Sequence, residues 1–263
     1  MTGLSTVHRV EGAARLGSEW REHLQIHSDD VDFTKRATAE AVCRYFLEAA
    51  WNHAVHLGIG YGDLARQNRL WVLARLFVQL EALPEWGQTV ELTTWPRGTS
   101  TVFAVRDFEL VDTAAKRLAA GSSNWLVLEA ASRRPQRPDK LLLGIPSRID
   151  RLAVGREARK LPTFEAGVMG FTTQVRYSDI DVNRHVNSAR YLAWLLDSYS
   201  ADFHREHTLR AMELNYVGET LWEETVQVYS HQRSSMQFAH RISKSDGTEV
   251  CRAELTWASS LRE

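Results

Sequence analysis

The chain is written twice, and that repeat limits what it can fold into. Asp30-Val31-Asp32-Phe33 lies over Asp179-Ile180-Asp181-Val182, with Asp32 and Asp181 149 positions apart. At the same spacing Tyr45-Phe46-Leu47-Glu48 falls on Trp194-Leu195-Leu196-Asp197. With small changes in loop length, Trp86-Gly87-Gln88-Thr89-Val90 resembles Trp222-Glu223-Glu224-Thr225-Val226, and Phe103-Ala104-Val105-Arg106 resembles Phe238-Ala239-His240-Arg241. One match of this kind carries little. Four in the same order argue for a duplicated structural unit.

Each unit opens with a short extended stretch and runs into a helix. The first helix is predicted over Thr38 to Leu57, where Ala39, Val42, Cys43, Phe46, Ala49 and Ala50 recur at helical spacing. Tyr45, Leu47, Trp51, Ala54 and Val55 fill its other faces. The second is predicted over Asn187 to Phe203, with Leu192, Ala193, Leu196 and Tyr199 on one face and Tyr191, Trp194 and Leu195 beside it. Helices apolar nearly all round are buried ones. The segments C-terminal to each helix alternate with period two: Ala74, Leu76, Val78 and Leu80 against Arg75, Gln79 and Glu81, then Cys251, Ala253, Leu255 and Trp257 against Arg252, Glu254 and Thr256. Such strands belong to an antiparallel sheet with one wet face. No strand–helix–strand rhythm calls for a parallel sheet. The predicted class is α+β, each half a long buried helix wrapped by an antiparallel sheet, with a first unit over 1–130, a connector over 131–165 and a second unit over 166–263.

Composition narrows the partners. The 263 residues carry a formal net charge of −1, so no global field draws the chain to nucleic acid or a membrane surface. Cys43 and Cys251 both sit in apolar patterns and do not suggest a disulfide framework. Met1 to Arg21 lacks the apolar core of a signal peptide, and no apolar run approaches a membrane span, so the expected compartment is the cytosol. Ala130 to Pro162 holds Pro135, Pro138, Pro146 and Pro162 and is basic: Arg133, Arg134, Arg137, Lys140, Arg148, Arg151, Arg156, Arg159 and Lys160 face only Asp139, Asp150 and Glu157. It reads as a solvated linker or as a docking surface for an acidic partner.

The chemistry concentrates in Asp181-Val182-Asn183-Arg184-His185-Val186-Asn187, just ahead of the second helix. Capping and turn bonds account for such residues in many proteins. In an extended segment, however, Asp181, Asn183 and His185 would point to one side. They also precede a helix start, whose free N–H groups stabilise developing negative charge. The first half is an internal control: it keeps the acid as Asp32 but has Thr34 and Arg36 where the second has Asn183 and His185.

Ser178 to Ser188, continuing through Tyr191 and Trp194, resembles the signature of acyl-ACP thioesterases. So does Leu214-Asn215-Tyr216-Val217-Gly218-Glu219, which is similar to that family's strand ending in a catalytic Glu. Trp71-Val72, Trp86-Gly87 and Trp125-Leu126-Val127-Leu128 followed by Arg133-Arg134 extend the likeness over nearly the whole chain. The resemblance implies a tandem hotdog fold and hydrolysis of fatty acyl-ACP to free acid and carrier, with Asp181, Asn183, His185 and Glu219 at the catalytic positions. Many members carry Cys directly after that Glu; here the residue is Thr220, so no cysteine nucleophile is at hand.

A carboxylate, Asp181 or Glu219, would activate water or attack the thioester carbonyl, with Asn183 and His185 orienting water and carrying protons. The scheme calls for no metal and no cofactor. The first half has Ala82 or Leu83 at the place of Glu219, so no second active site is expected. Its Phe46, Trp51, Trp71 and Phe77 are candidates to house the acyl tail, or are ordinary core. Arg133, Arg134 and Arg137 are the candidates for docking an acidic acyl carrier protein. His53 and His56 lack a third metal ligand, and Gly58-Ile59-Gly60-Tyr61-Gly62 follows a helix and reads as a helix stop, not a phosphate loop. The competing assignments are an acyl-CoA thioesterase, a hydroxyacyl dehydratase and a non-catalytic acyl-carrier binding protein. The duplication supplies the contact that single hotdogs gain by dimerising, so a monomer or a homodimer is expected.

Overall fold

Hydrogen-bond pairing joins both halves into one antiparallel sheet. The structure is a computed structural model and describes residues 17–164 and 167–260. Most of the Met1–Arg21 stretch therefore lies outside the described residues. In chain order the elements are β1 (Trp20–Gln25), α1 (Ala39–His56), α2 (Tyr61–Ala65), β2 (Arg69–Leu80), β3 (Thr89–Ser100), β4 (Phe103–Asp112), β5 (Arg117–Glu129), β6 (Pro135–Gln136) and β7 (Val168–Gln174). They continue as α3 (Ser188–Leu196), α4 (Ala201–Glu206), β8 (His207–Tyr216), β9 (Thr225–Ser234), β10 (Gln237–Lys244) and β11 (Glu249–Ser259). The spatial order is β1-β3-β4-β5-β2-β8-β11-β10-β9-β7, with β6 against β5. The second half of that order is the first half reversed. The repeated unit thus meets its copy at the β2–β8 seam, where Phe77 stands opposite Glu213.

The repeat extends to single hydrogen bonds. Asp32 N donates to Arg36 O and Asp181 N to His185 O, at 3.0 and 2.9 Å. Lys35 and Arg184 both take the left-handed conformation, with φ of 62° and 64°. Thr38 caps α1 and Asn187 caps α3 by accepting from the backbone, which satisfies a donor that the first helical turn cannot. Ala37 N binds Pro84 O as Val186 N binds Thr220 O. One alignment slips. Val90 pairs with Asp112 while its counterpart Val226 pairs with Lys244, which places the partner of Phe103 three residues before Phe238. An odd slip exchanges sheet faces. Phe103 accordingly lies under the Arg75 guanidinium, whereas Phe238 packs on Tyr199.

The inner face carries the main core. Phe46 of α1 stacks on Phe108 of β4, ring centroids 4.8 Å apart, and Leu192, Leu195, Leu214 and Leu255 are fully buried in the same core. Gly121 admits this approach: a Cβ there would lie 3.1 Å from the Phe46 ring and 2.9 Å from Phe77 O.

Three expectations are corrected. The second helix is not continuous to Phe203; it ends at Leu196, and Ser200 caps α4 by accepting from Phe203 N. The first helix is not buried all round, because Trp51 and Val55 are exposed. The outer sheet face is not wet at its centre, because the connector is strapped across it. Arg148 N binds Pro96 O, Ala153 N binds Asp107, Arg159 N binds Glu213, and Leu161 N binds Asn215. The strap buries Phe77, Trp95 and Ala120 beneath Ala153, Val154 and Ala158. It also crosses the seam, so both halves are held from the same side.

Candidate active site

The Asp181–His185 stretch is a closed turn, not the extended run that alternation implied. Ile180 and Val186 form a bridge, Arg184 N returns to Asp181 O, and the left-handed Arg184 reverses the chain. The Asp181 carboxylate accepts from Asn183 N at 2.8 Å and from Asn183 Nδ2 at 3.5 Å. Asp32 makes the same bond to Thr34 N, so this part of the motif is turn chemistry common to both halves. Below it, buried Asp179 ties the loop to α3 by accepting from Arg176 N and from Arg190 Nε.

The turn delivers His185 to Glu219, which follows the end of β8. The Val186–Thr220 backbone bond holds the two loops together, and His185 Nε2 lies 3.3 Å from Glu219 Oε2. The contact is a charge-pair approach of the ring to the carboxylate. Both side chains keep contact with solvent, at 27% and 45% exposure. Glu219 has a second partner: Arg133 Nη2 lies 2.5 and 2.6 Å from its two oxygens. Thr220 is fully buried, and its hydroxyl accepts from Tyr191 at 3.0 Å. That fixes it as a buttress under Glu219. Burial pushes the Tyr191 phenol and the Cys43 and Cys251 thiols above their ordinary range, which keeps all three uncharged. At the start of α3 the N–H groups of Val186, Asn187 and Ala189 are already bonded, to Thr220 O, Asp179 O and Asn187 Oδ1. Ser188 N–H has no acceptor among the described residues.

The first half repeats the scaffold without the chemistry. Arg36 stands in the place of His185 and binds Leu83 O and Glu85.

The family model described as acyl-ACP thioesterase N-terminal domain matches residues 17–142, and the one for the C-terminal domain matches 169–259. The chain belongs to the acyl-ACP thioesterase family. It is 28% identical over 261 residues to a palmitoyl-acyl carrier protein thioesterase of Cuphea hookeriana, covering 92% of this chain and 62% of that protein. It is 26% identical to oleoyl-acyl carrier protein thioesterase 1 of Arabidopsis thaliana, covering 97% and 81%. The chain spans about three fifths of the length of the Cuphea relatives it matches. Among solved structures, the 12:0-ACP thioesterase of Umbellularia californica superposes with a TM-score of 0.83 at 26% identity, covering 95% of this chain and 100% of that one. An acyl-ACP thioesterase of Bacteroides thetaiotaomicron gives 0.81 at 25%, covering 92% and 98%. The tandem hotdog is thus the fold of this acyl-ACP thioesterase family member.

The four residues expected around an acyl tail do not come together in this thioesterase family chain. Phe46 is in the inner core, and Phe77 is on the opposite sheet face under Arg156. Trp71 donates to Ile59 O, and Trp51 stacks on Tyr61 at the surface. Period-two alternation separates Phe77 from the inner face, a distinction that apolarity alone does not make. The connector's basic residues are also mostly engaged. Arg148, Arg151, Arg156 and Arg159 pair with Glu19, Glu109, Glu213 and Glu254 on the folded body, and Arg137 pairs with Asp139. Arg134, Lys140 and Lys160 have no ion pair among the described residues. His53, weighed as a metal ligand, instead lies between Arg106 Nη1 and Gly17 O.

Proposed function

We propose that this chain hydrolyses the thioester of fatty acyl-ACP, releasing free fatty acid and carrier, with the chemistry in 166–263 and the tail received by the inner face of 1–130. The observation that carries the proposal is the 3.3 Å approach of His185 to Glu219 in the copy that matches the family's C-terminal domain. In this scheme Glu219 orients the imidazole, and His185 Nδ1 takes a proton from water as its oxygen bonds to the acyl carbon. The tetrahedral intermediate then collapses, the carbon–sulfur bond breaks, and the imidazolium returns its proton to the thiolate. Ser188 N–H at the start of α3 supports the developing oxyanion; one such donor is worth about 3 kcal/mol of barrier. Asn183, held by Asp181, supports the attacking water. No step requires a metal or cofactor.

Phe46 is the one tail candidate that faces the inner side, against Phe108. Arg134 and Arg137 remain the candidates for the acidic carrier. Arg134 has no ion pair among the described residues, which supports its role, and a carrier would displace Asp139 from the exposed Arg137 pair. Two buried free cysteines suit a reducing cytosol, and no helix among the described residues is long and apolar enough to cross a membrane. The internal seam supports a monomer as the working unit.

The test is thiol release from a panel of acyl-ACPs, with acyl-CoA in parallel. His185→Ala and Glu219→Gln are expected to lower kcat by about 10²- to 10⁴-fold without loss of fold. Arg134→Glu with Arg137→Glu should raise KM for acyl-ACP and spare acyl-CoA. Equal turnover of both carriers by the wild type would favour the CoA alternative. Binding of acyl-ACP without any thiol release would leave a carrier-binding protein.

A further inference from the structure

The connector's first arginine reaches across to Glu219 of the second half. Arg133 lies in the tight turn between β5 and β6, where its N–H returns to Glu129 O and Glu129 N–H donates to Arg134 O. Its φ of 58° is the left-handed conformation that such a turn assigns to glycine. An arginine there costs about 1 kcal/mol in backbone strain. The strain aims one guanidinium nitrogen between both oxygens of Glu219, 86 positions later in the chain. An exposed ion pair of this kind returns about 0–1 kcal/mol of stability, so stability does not account for it.

Glu219 itself needs holding. It follows the end of β8 on a loop, it is about half exposed, and three side-chain bonds rotate freely between its backbone and its carboxylate. Left to solvent it would sample several rotamers, few of them placing Oε2 against His185. Thr220 and the Val186 bond fix only the loop backbone. Among the described residues, Arg133 and His185 are the two groups that hold the carboxylate.

We infer that Arg133 is the positioning residue of the active site, contributed by the connector to fix Glu219 against His185. The inference rests on the hydrolase reading above. It has a corollary for the carboxylate. With both oxygens bound to a guanidinium, Glu219 is a poor nucleophile and a good orienter, which favours water activation through His185 over direct attack. It also removes Arg133 from the docking set, so changing it alters the chemistry whatever carrier the thioester hangs on.

The experiment is steady-state thiol release by the full chain with acyl-ACP and acyl-CoA, for wild type, Arg133→Gln, Arg133→Lys, Glu219→Gln and the double variant Arg133→Gln/Glu219→Gln. Arg133→Gln should lower kcat about 10- to 100-fold on both thioesters, with KM changed less than about threefold, since a misplacement near 1 Å carries a penalty of that size. Arg133→Lys should recover part of the loss. The double variant should be no slower than Glu219→Gln alone, because the arginine acts through the glutamate. A raised KM for acyl-ACP alone, with kcat intact, would make Arg133 a docking residue and overturn the inference. Additive losses in the double variant, or unchanged turnover in Arg133→Gln, would do the same. Thermal melts identify a variant that fails to fold, in which case Arg133→Lys and the cycle decide. If the wild type shows no turnover, the hydrolase reading falls first; if it is active and Arg133→Gln equals it, only the inference falls.

Discussion

Asp32 and Asp181 do the same work for their turns, and only one of them stands beside a histidine. Each accepts from the backbone two residues on, at 2.7 and 2.8 Å. Asp32→Ala and Asp181→Ala are therefore expected to destabilise the fold by similar amounts, about 1 kcal/mol each. Only Asp181→Ala should lower kcat, by freeing Asn183. Urea titration and thiol release on the two variants make the comparison, and equal turnover in both would reduce Asp181 to a turn former. At this scale the sequence carried the site's chemical groups, since a carboxylate, an amide and an imidazole crowd one short stretch. It did not carry their geometry. The alternation of Asp181, Asn183 and His185 suggests an extended strand, but the left-handed Arg184 closes it into a turn. Nor did it carry Arg133's partner, because a contact between side chains 86 positions apart leaves no local pattern.

Helices and strands were the most readable level, because burial imposes a period. The inner-face set Leu76, Val78 and Leu80 follows it directly. What periodicity misses is which face a second layer covers. The outer face of β4, β5 and β8 presents Asp107, Ser122, Asn124, Glu213 and Asn215, polar residues that look solvent-facing in sequence and are buried under the strap. The strap's positive charge was plain; its partners were not, since they are acidic side chains scattered over β4, β8, β11 and the residue just before β1. Glu213 is its main anchor, accepting from Arg156, Arg159 and the Arg159 backbone while only 3% exposed. Glu213→Ala should cost about 2–4 kcal/mol, visible as a lowered urea midpoint, because it strips several buried charge-assisted bonds at once. A shift worth under about 0.5 kcal/mol would mean the strap holds without it. Within the sheet, Gly121→Ala should cost about 1–3 kcal/mol by pressing on Phe46, since the facing Phe77 carbonyl has no room to yield.

For the whole molecule, the repeat was readable down to its copied turns, and its joining was not. Two sheets in sequence become one because β2 and β8 each leave an edge free at the centre, and unpaired edges seek partners. Each half also buries a neutral histidine that the other half lacks. His53 is drawn down to about 3 by burial and then by the Arg106 charge, and His240, between Tyr199 and Ser230, is drawn to about 3 by burial. Below pH 6.5 the unfolded chain takes up protons that these rings refuse in the fold, so stability should fall as pH drops, by about 1 kcal/mol per pH unit for each ring. Urea midpoints at about pH 7.5 and about pH 5 measure this, and His240→Gln should flatten the slope. Equal midpoints for the wild type would contradict it.

The main-chain ladder at the centre behaves mechanically as a weld. Its five residue pairs, Arg75 with Asn215 through Gln79 with Ala211, would all have to part for the halves to swing open, stranding hydrogen-bonding groups worth about 1 kcal/mol apiece. A clamshell stroke is therefore closed to this protein. Under the hydrolase proposal, a substrate would therefore have to be admitted without parting this ladder.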